Sequence, residues 1–248
     1  MGGAMCCLEG VAGPPPKPKK LTLKYFPIAG RAEVIRLALI LGKLDCADQR
    51  LTGEEWEKQH KATAPFGQLP VLMVDGKELA QTKAILRYVG KLAQYDGRLL
   101  YPQDPWLAAK VDEVMDAFDD LWILLAPTYR IENQQQKEQT RQRLFAPGGE
   151  AARLVAIFEQ LLSRSSNGFV VPEAGLTVAD LMYFSFLNVV RSGFVEGLPS
   201  SLFAGYPNLM KHKEKIANVP EIKKYYVENA KVSNPLSLPN YEVFAPGR

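Results

Sequence analysis

Pro65-Phe66-Gly67-Gln68-Leu69-Pro70-Val71-Leu72 joins two conflicting signals. Leu69 to Val74 is an apolar run of strand length, yet Pro70 stands at its head, and a proline has no N–H to donate to a ladder. A turn proline is the ordinary explanation. A cis Leu69–Pro70 bond, the state of only ~5% of X-Pro bonds, is the rarer one. In the second case the backbone of Leu69 is left free to pair with an extended peptide as an added strand. Asp75-Gly76 behind this run is a hairpin turn signal, and Lys77 to Leu79 completes the partner strand.

Working outward towards the N-terminus, Leu21, Leu23 and Tyr25 alternate as a strand does. Pro27 and Gly30 interrupt, and Val34, Ile35, Leu37, Ala38 and Leu41 then recur at helical spacing up to Gly42. A second strand is expected around Cys46 to Leu51, and a polar helix or turn over Gly53 to Ala64. On the other side, Gln81 to Tyr95 reads as a helix with Ile85, Leu86, Tyr88, Val89 and Leu92 inward. Strand, helix, strand, helix, strand, strand, helix (βαβαββα) is the order of a thioredoxin-like domain, expected over residues 21–100.

Beyond Tyr101-Pro102-Gln103-Asp104-Pro105 the convincing periods are all helical: Trp106 to Leu125, Gln134 to Phe145, Gly149 to Arg164, Val178 to Arg191, Tyr206 to Asn218 and Pro220 to Ala230. The expected fold class is α+β, a thioredoxin-like domain followed by an all-α domain over residues 104–230. Thr177-Val178-Ala179-Asp180 is a capping box, worth ~1 kcal/mol to its helix, with Leu176 placed to staple against Leu181. The C-terminal extension, residues 231–248, holds Pro235, Pro239 and Pro246, has no period, and is expected to be an irregular cover, either lidding a site or packing on the surface. The head, residues 1–20, is rich in glycine and proline and is expected to be a disordered tail. Gly2 after Met1 suggests N-myristoylation, but Cys6 stands where that motif wants Ser or Thr. Were the head lipidated, Cys6 or Cys7 would supply a second anchor, the one route by which a membrane becomes a partner.

Composition narrows the function classes. The 248 residues are 47% hydrophobic and 23% charged, with 30 basic residues against 27 acidic ones spread along the chain, which argues against a nucleic-acid partner. Cys6, Cys7 and Cys46 have no paired spacing, and two histidines, His60 and His212, are too few for a metal cluster, so no metal site is assigned. No apolar run approaches the ~18 residues of a membrane span, and a reducing, cytoplasmic location is the default.

Tyr25-Phe26-Pro27-Ile28-Ala29-Gly30-Arg31-Ala32-Glu33, Pro65 to Pro70, Gln81-Thr82-Lys83-Ala84-Ile85, Val111-Asp112 and Asp119-Asp120-Leu121 together resemble a cytosolic glutathione S-transferase. The tyrosine strand followed by Gly-Arg-Ala-Glu-Val-Ile-Arg is most similar to the sigma class, which includes the haematopoietic prostaglandin D synthases. The likeness covers residues 21 to about 230. It implies an enzyme that uses glutathione as co-substrate and conjugates it to small hydrophobic electrophiles, as a homodimer. A glutathione-dependent prostaglandin-type isomerase, and a non-catalytic structural or ligand-binding relative, are the rival readings.

The resemblance also implies roles. Tyr25 would donate a hydrogen bond to the sulfur of glutathione, and Arg31 would add positive field near the thiolate. Gln68, Leu69 and Pro70 would hold the peptide backbone. Gln81 and Thr82, opening a helix whose amides are free to bind an anion, match the pair that holds the γ-glutamyl carboxylate; a simple threonine cap would use the same atoms. Trp56 and a base would hold the glycyl end, but one extra residue lies between Trp56 and Pro65; Lys61 is preferred to His60 on its spacing to Pro65. Ile28 and Trp122 would wall the acceptor site. Asp112, Asp116, Asp119 and Asp120 share a helix face, where like charges packed at an interface need a counter-cation. In the family this face lines the dimer two-fold. The residue matching Asp120 reaches the partner's glutathione, and some sigma-class synthases hold a divalent cation with residues matching Asp116, Asp119 and Asp120.

Overall fold

The computed structural model describes residues 18–231 and 241–247. Residues 1–17 of the expected disordered head, the lipidation signal with Cys6 and Cys7, and the middle of the C-terminal extension lie outside the described residues, while the end of the head is held, Lys19 N and Lys20 N donating to Asp75 Oδ1 at 2.9 and 2.8 Å.

Strand β1 (Leu21–Tyr25) alternates as expected, with Leu21, Leu23 and Tyr25 buried. Its neighbours are β2 (Ala47–Arg50), parallel to it, and β3 (Val71–Val74), antiparallel. The hairpin partner β4 (Lys77–Ala80) completes a sheet of order β2-β1-β3-β4. Asp75 and Gly76 turn that hairpin with φ of 49° and 87°, both in the left-handed region that a tight two-residue turn demands. Helix α1 (Glu33–Leu41) stops at Gly42, and a capping box on Thr52 and Glu55 starts α2 (Gly53–Glu55), which widens into a π-turn over Trp56–His60.

Helix α3 is shorter than its apolar spacing suggests, running Thr82–Gly90 rather than on to Tyr95. Residues 94–99 form instead a small hairpin of β5 (Gln94–Tyr95) and β6 (Arg98–Leu99), turned by Asp96 and Gly97 at φ of 50° and 73°. Leu92 and Ala93 are buried as a helical reading requires, so the pattern did not mark the stop. The second Asp-Gly pair was the overlooked signal. Gly90 makes the close approach possible, since a Cβ there would stand 2.8 Å from the Tyr101 Cβ.

The remaining helices follow the periodicity closely: α4 (Pro105–Leu125), capped by Asp104; α5 (Gln134–Phe145), capped by Asn133; α6 (Glu150–Ser163); α7 (Val178–Arg191); α8 (Pro207–Ala217); and α9 (Pro220–Lys231). Helix α7 is buried from Val178 to Val190 and packs against α1, α4 and α8, so it is the axis of the helical part. Its capping box is more than local. Asp180, fully buried, accepts from Thr177 N at 2.8 Å and Thr177 Oγ1 at 2.9 Å, from Val170 N at 2.9 Å, and its Oδ1 lies 3.0 Å from His212 Nε2 on α8.

Candidate active site

Tyr25 ends β1 with its ring 7% exposed, and its hydroxyl accepts a hydrogen bond from Arg31 N at 3.0 Å. Gly30 permits this. Its φ is +42°, and a Cβ on it would stand 2.5 Å from the Tyr25 hydroxyl oxygen, well inside van der Waals contact. Burial pushes the phenol up from its ordinary value, against the Arg31 amide and the charges of Arg36 and Arg31. The hydroxyl therefore keeps its proton at neutral pH. Its oxygen is occupied as an acceptor, and among the described residues its own O–H has no acceptor.

Beside it lies a cleft of ≈ 410 Å³ lined by Phe26, Arg31, Trp56, Gln68, Leu69, Pro70, Gln81 and Thr82. Most of the sequence-derived binding residues thus meet at one place. The Leu69–Pro70 bond is cis. Trp56 is buried, its ring meeting Phe26 edge-on at 6.4 Å. Gln81, at φ 72° and ψ 116°, is the N-cap of α3, and no side chain caps that helix. The threonine-cap alternative therefore does not hold, and the first amides of α3 are left for a ligand. A non-glycine residue in such a conformation costs roughly 1 to 3 kcal/mol, strain of a kind that clusters at ligand clamps. Gln81 Nε2 lies 3.4 Å from Gln68 Oε1.

Several expected participants have other partners or positions. Lys61 does not line the cleft; its Nζ is paired with Glu57 at 2.8 Å on the exposed side of the turn. His60 does not line it either. Arg31 directs its guanidinium not towards Tyr25 alone but to Asp119, 3.2 Å from Nη1, and over the Trp122 ring at 5.8 Å. Arg31 nonetheless lines the cleft, and its charge acts on the Tyr25 phenol. Trp122 lines a crevice of only ≈ 20 Å³ with Arg31, Met182 and Phe186, and Ile28 is not among its walls. None of the described residues of the extension lines the cleft, and Phe244 packs on Phe184 and Tyr226.

The carboxylate face of α4 also needs a correction, because its counter-cations come from the same chain. Lys83 Nζ donates to Asp116 at 2.8 Å and lies 3.4 Å from Asp119, while Arg87 Nε donates to Asp112 at 2.7 Å. Partial burial works against charge on Lys83, but Asp116 and Asp119 outweigh it and raise its pKa; Asp112 does the same for Arg87. Lys83 and Arg87 sit four apart on α3, opposite carboxylates also four apart on α4, so the spacing lay in the sequence while the pairing follows from how the two helices pack. Asp120 is exposed and, among the described residues, has no ion pair. Phe26 was missed as a wall of the cleft, having no signal beyond its place after Tyr25.

A strand headed by a cis-proline and an uncapped helix N-terminus line one cleft, and the Tyr25 hydroxyl stands behind its Arg31 wall, bonded to the Arg31 amide; with the helices behind, this is the arrangement of a peptide-binding domain of the transferase type. The family models agree. Residues 21–91 match the glutathione S-transferase N-terminal domain, and residues 120–229 the C-terminal domain. Glutathione S-transferase 1 of Ascaris suum is 32% identical over 212 residues, covering 84% of this chain and 96% of its own. Among solved structures, the monomeric Na-GST-3 of Necator americanus superposes with a TM-score of 0.72 at 31% identity, covering 85% of this chain and 97% of that one. Prostaglandin synthase D of Nilaparvata lugens gives a TM-score of 0.72 at 26% identity, covering 84% and 97%. The chain belongs to the glutathione S-transferase family. It is an enzyme of that family, with glutathione as its co-substrate. Among the described residues no helix is long and apolar enough to cross a membrane.

Proposed function

We propose that this enzyme binds glutathione in the Trp56–Thr82 cleft, stabilises its thiolate with the Tyr25 hydroxyl, and adds it to small hydrophobic electrophiles. The observation that carries this is the Tyr25 hydroxyl itself, held by the Arg31 amide at 3.0 Å, its own proton having no acceptor among the described residues. A free thiol of pKa ~8.5 is only ~3% ionised at pH 7, and lowering it by two units takes ~2.7 kcal/mol. A hydrogen bond to a charged group supplies ~1.5 to 3 kcal/mol. One oriented hydroxyl is nearly sufficient. In the reaction the thiolate attacks the electrophilic carbon, the new C–S bond forms as the leaving group departs, and Tyr25 keeps its proton throughout.

In this reading the amides of α3 hold the γ-glutamyl carboxylate beside Gln81 and Thr82, and the backbone of Leu69 pairs with the cysteinyl unit, Gln68 and Pro70 shaping that edge. Trp56 packs on the glycyl end. Lys61 reaches the glycyl carboxylate by exchanging Glu57 for it, which is cheap, since an exposed i,i+4 pair is worth ~0.3 to 0.5 kcal/mol. Ile28 and Trp122 stand on the acceptor side. The sigma class is favoured by the sequence running from Tyr25 through Arg36. The likeness to prostaglandin synthase D of Nilaparvata lugens is compatible with an isomerase, but both readings use the same thiolate and nothing in the cleft prefers isomerisation. A homodimer in which Asp120 meets the partner's glutathione is supported by the exposure of Asp120 and by its having no ion pair among the described residues; the Necator americanus relative is monomeric, and the oligomeric state in solution tests the point.

Assay with glutathione and a chloronitrobenzene acceptor tests the activity, and ultraviolet titration of bound thiolate tests the tyrosine. Tyr25→Phe should return the bound thiol towards its free pKa and lower turnover near neutral pH by at least ~10-fold, equivalent to ~1.4 kcal/mol. An unchanged titration midpoint would make Tyr25 a packing residue.

A further inference from the structure

A buried polar chain runs from the last helix to the catalytic turn. Tyr226 on α9, 2% exposed, donates its hydroxyl proton to Glu33 Oε1 at 2.8 Å, across 193 positions of sequence. Glu33 is wholly buried at the start of α1, and its other oxygen accepts from Arg36 Nη1 at 3.1 Å. Both oxygens accept, which is the pattern of an ionised carboxylate. Arg36, 4% exposed, in turn donates to the carbonyl of Ile28 at 2.9 Å and lies over the Tyr25 ring at 5.9 Å. Glu33 N donates to Ala29 O at 2.9 Å. The turn of residues 28–31 is therefore held from below by Glu33 and Arg36, and its far end is the Arg31 amide that fixes the Tyr25 hydroxyl.

Around Arg36 stand also Asp48, 3.1 Å from its Nε and shared with Arg50, and the phenol of Tyr225. Burial pushes the Glu33 carboxyl up, opposed by Arg36 and by the Tyr226 hydroxyl. A carboxylate so placed depends on its donors, since an unsatisfied buried charge is not tolerated. Tyr226 is itself seated by the C-terminal extension, Phe244 packing on its ring at 4.8 Å while Lys213 Nζ donates to Ala245 O at 2.7 Å.

We propose that Tyr226, seated by Phe244 of the C-terminal extension, is a positioning residue for the Tyr25 hydroxyl, acting through the buried Glu33–Arg36 pair. None of Tyr226, Glu33 and Phe244 lines the cleft, and they connect to it through the turn of residues 28–31. The inference rests on the Tyr25 reading above.

The test compares Tyr226→Phe, Glu33→Gln and Tyr25→Phe in the full-length protein by ultraviolet titration of bound glutathione. It adds the pH profile of kcat and the affinity for S-methylglutathione, which has no thiol to ionise. Tyr226→Phe and Glu33→Gln should each raise the bound-thiol pKa by at least ~0.5 unit, leaving roughly threefold less thiolate below that pKa. The turnover deficit should vanish at high pH, with S-methylglutathione affinity within twofold of the parent. Added to Tyr25→Phe, Tyr226→Phe should shift the thiol no further. If Tyr25→Phe raises the thiol pKa but neither of the other two does, whatever their melting temperatures, the inference is overturned and the chain is packing only. If Tyr25→Phe itself leaves the thiol unmoved, the thiolate reading fails, and this inference with it. Should Glu33→Gln not fold, Tyr226→Phe decides alone, since it removes one hydroxyl and keeps the ring against Phe244.

Discussion

Gly30→Ala adds one methyl group where the structure leaves no room for it. The new Cβ would stand 2.5 Å from the Tyr25 hydroxyl oxygen, 3.0 Å from Cε1 and 3.2 Å from Cζ. Ordinary contact begins near 3.4 Å, so the tip of the ring or the turn must move by nearly an ångström, and the 3.0 Å bond from Arg31 N cannot survive that shift. Holding alanine at φ +42° costs roughly 1 to 2 kcal/mol, and the lost hydrogen bond about 1 more. A total of about 2 to 3 kcal/mol corresponds to a fall in melting temperature of roughly 5 to 10 °C for a chain of this size. Binding of S-methylglutathione should be little affected, because Gly30 is not a wall of the cleft. The bound-thiol pKa should rise nearly as far as in Tyr25→Phe. In the Tyr25→Phe background the closest clash is gone, so Gly30→Ala should cost less stability there than in the parent. Calorimetry on the four proteins of this cycle reads that coupling. A Gly30→Ala enzyme with parental thiol pKa, or equal costs in both backgrounds, would refute the placement of the Tyr25 hydroxyl against Gly30.

Asp180→Ala should destabilise by roughly 3 kcal/mol rather than the ~1 of a local cap, since Val170 N and His212 lose their partner with Thr177; a denaturant series giving only ~1 kcal/mol would reduce the residue to a cap. Cys46 should alkylate slowly despite its partial exposure, because burial, with Asp48 and Asp45 adding to it, pushes its thiol up to about 11. Being protonated below that pKa, it should carry roughly two-hundredfold less thiolate at pH 8 than a free cysteine, and peptide mapping after iodoacetamide finding it modified at a free-thiol rate would contradict this. Asp120→Asn should weaken glutathione binding by roughly 1 to 3 kcal/mol. Mixed with Tyr25→Phe protein it should regain up to about half the activity of intact sites, since one site of the heterodimer carries both defects and the other neither. Subunit exchange seen by mass without recovery, or an active monomer, would end the cross-subunit role.

The order of elements was readable because it is written in local periods. Leu21, Leu23 and Tyr25 at spacing two, and the α1 residues at helical spacing, declare their faces without knowledge of what covers them. The same holds for α5 and α7, whose bounds agree with the periodicity to the residue. The candidate cleft was legible where its residues are consecutive, as in Gln68-Leu69-Pro70 and Gln81-Thr82. The end of α3 was not, because burial of Leu92 and Ala93 serves a hairpin as well as a helix. What only the tertiary structure decided are the partnerships between segments far apart in the chain. Sequence could set Asp112, Asp116 and Asp119 on one face, but their neutralisation by Lys83, Arg87 and Arg31 depends on how α3 and α4 pack. Likewise Glu33 reads as an ordinary first-turn acid, and becomes a buried carboxylate only when α9 brings Tyr226 to it. Periodicity is a property of neighbours in the chain; ion pairs and clashes fall off within a few ångströms, so they are settled by the folded distance, which no local pattern encodes.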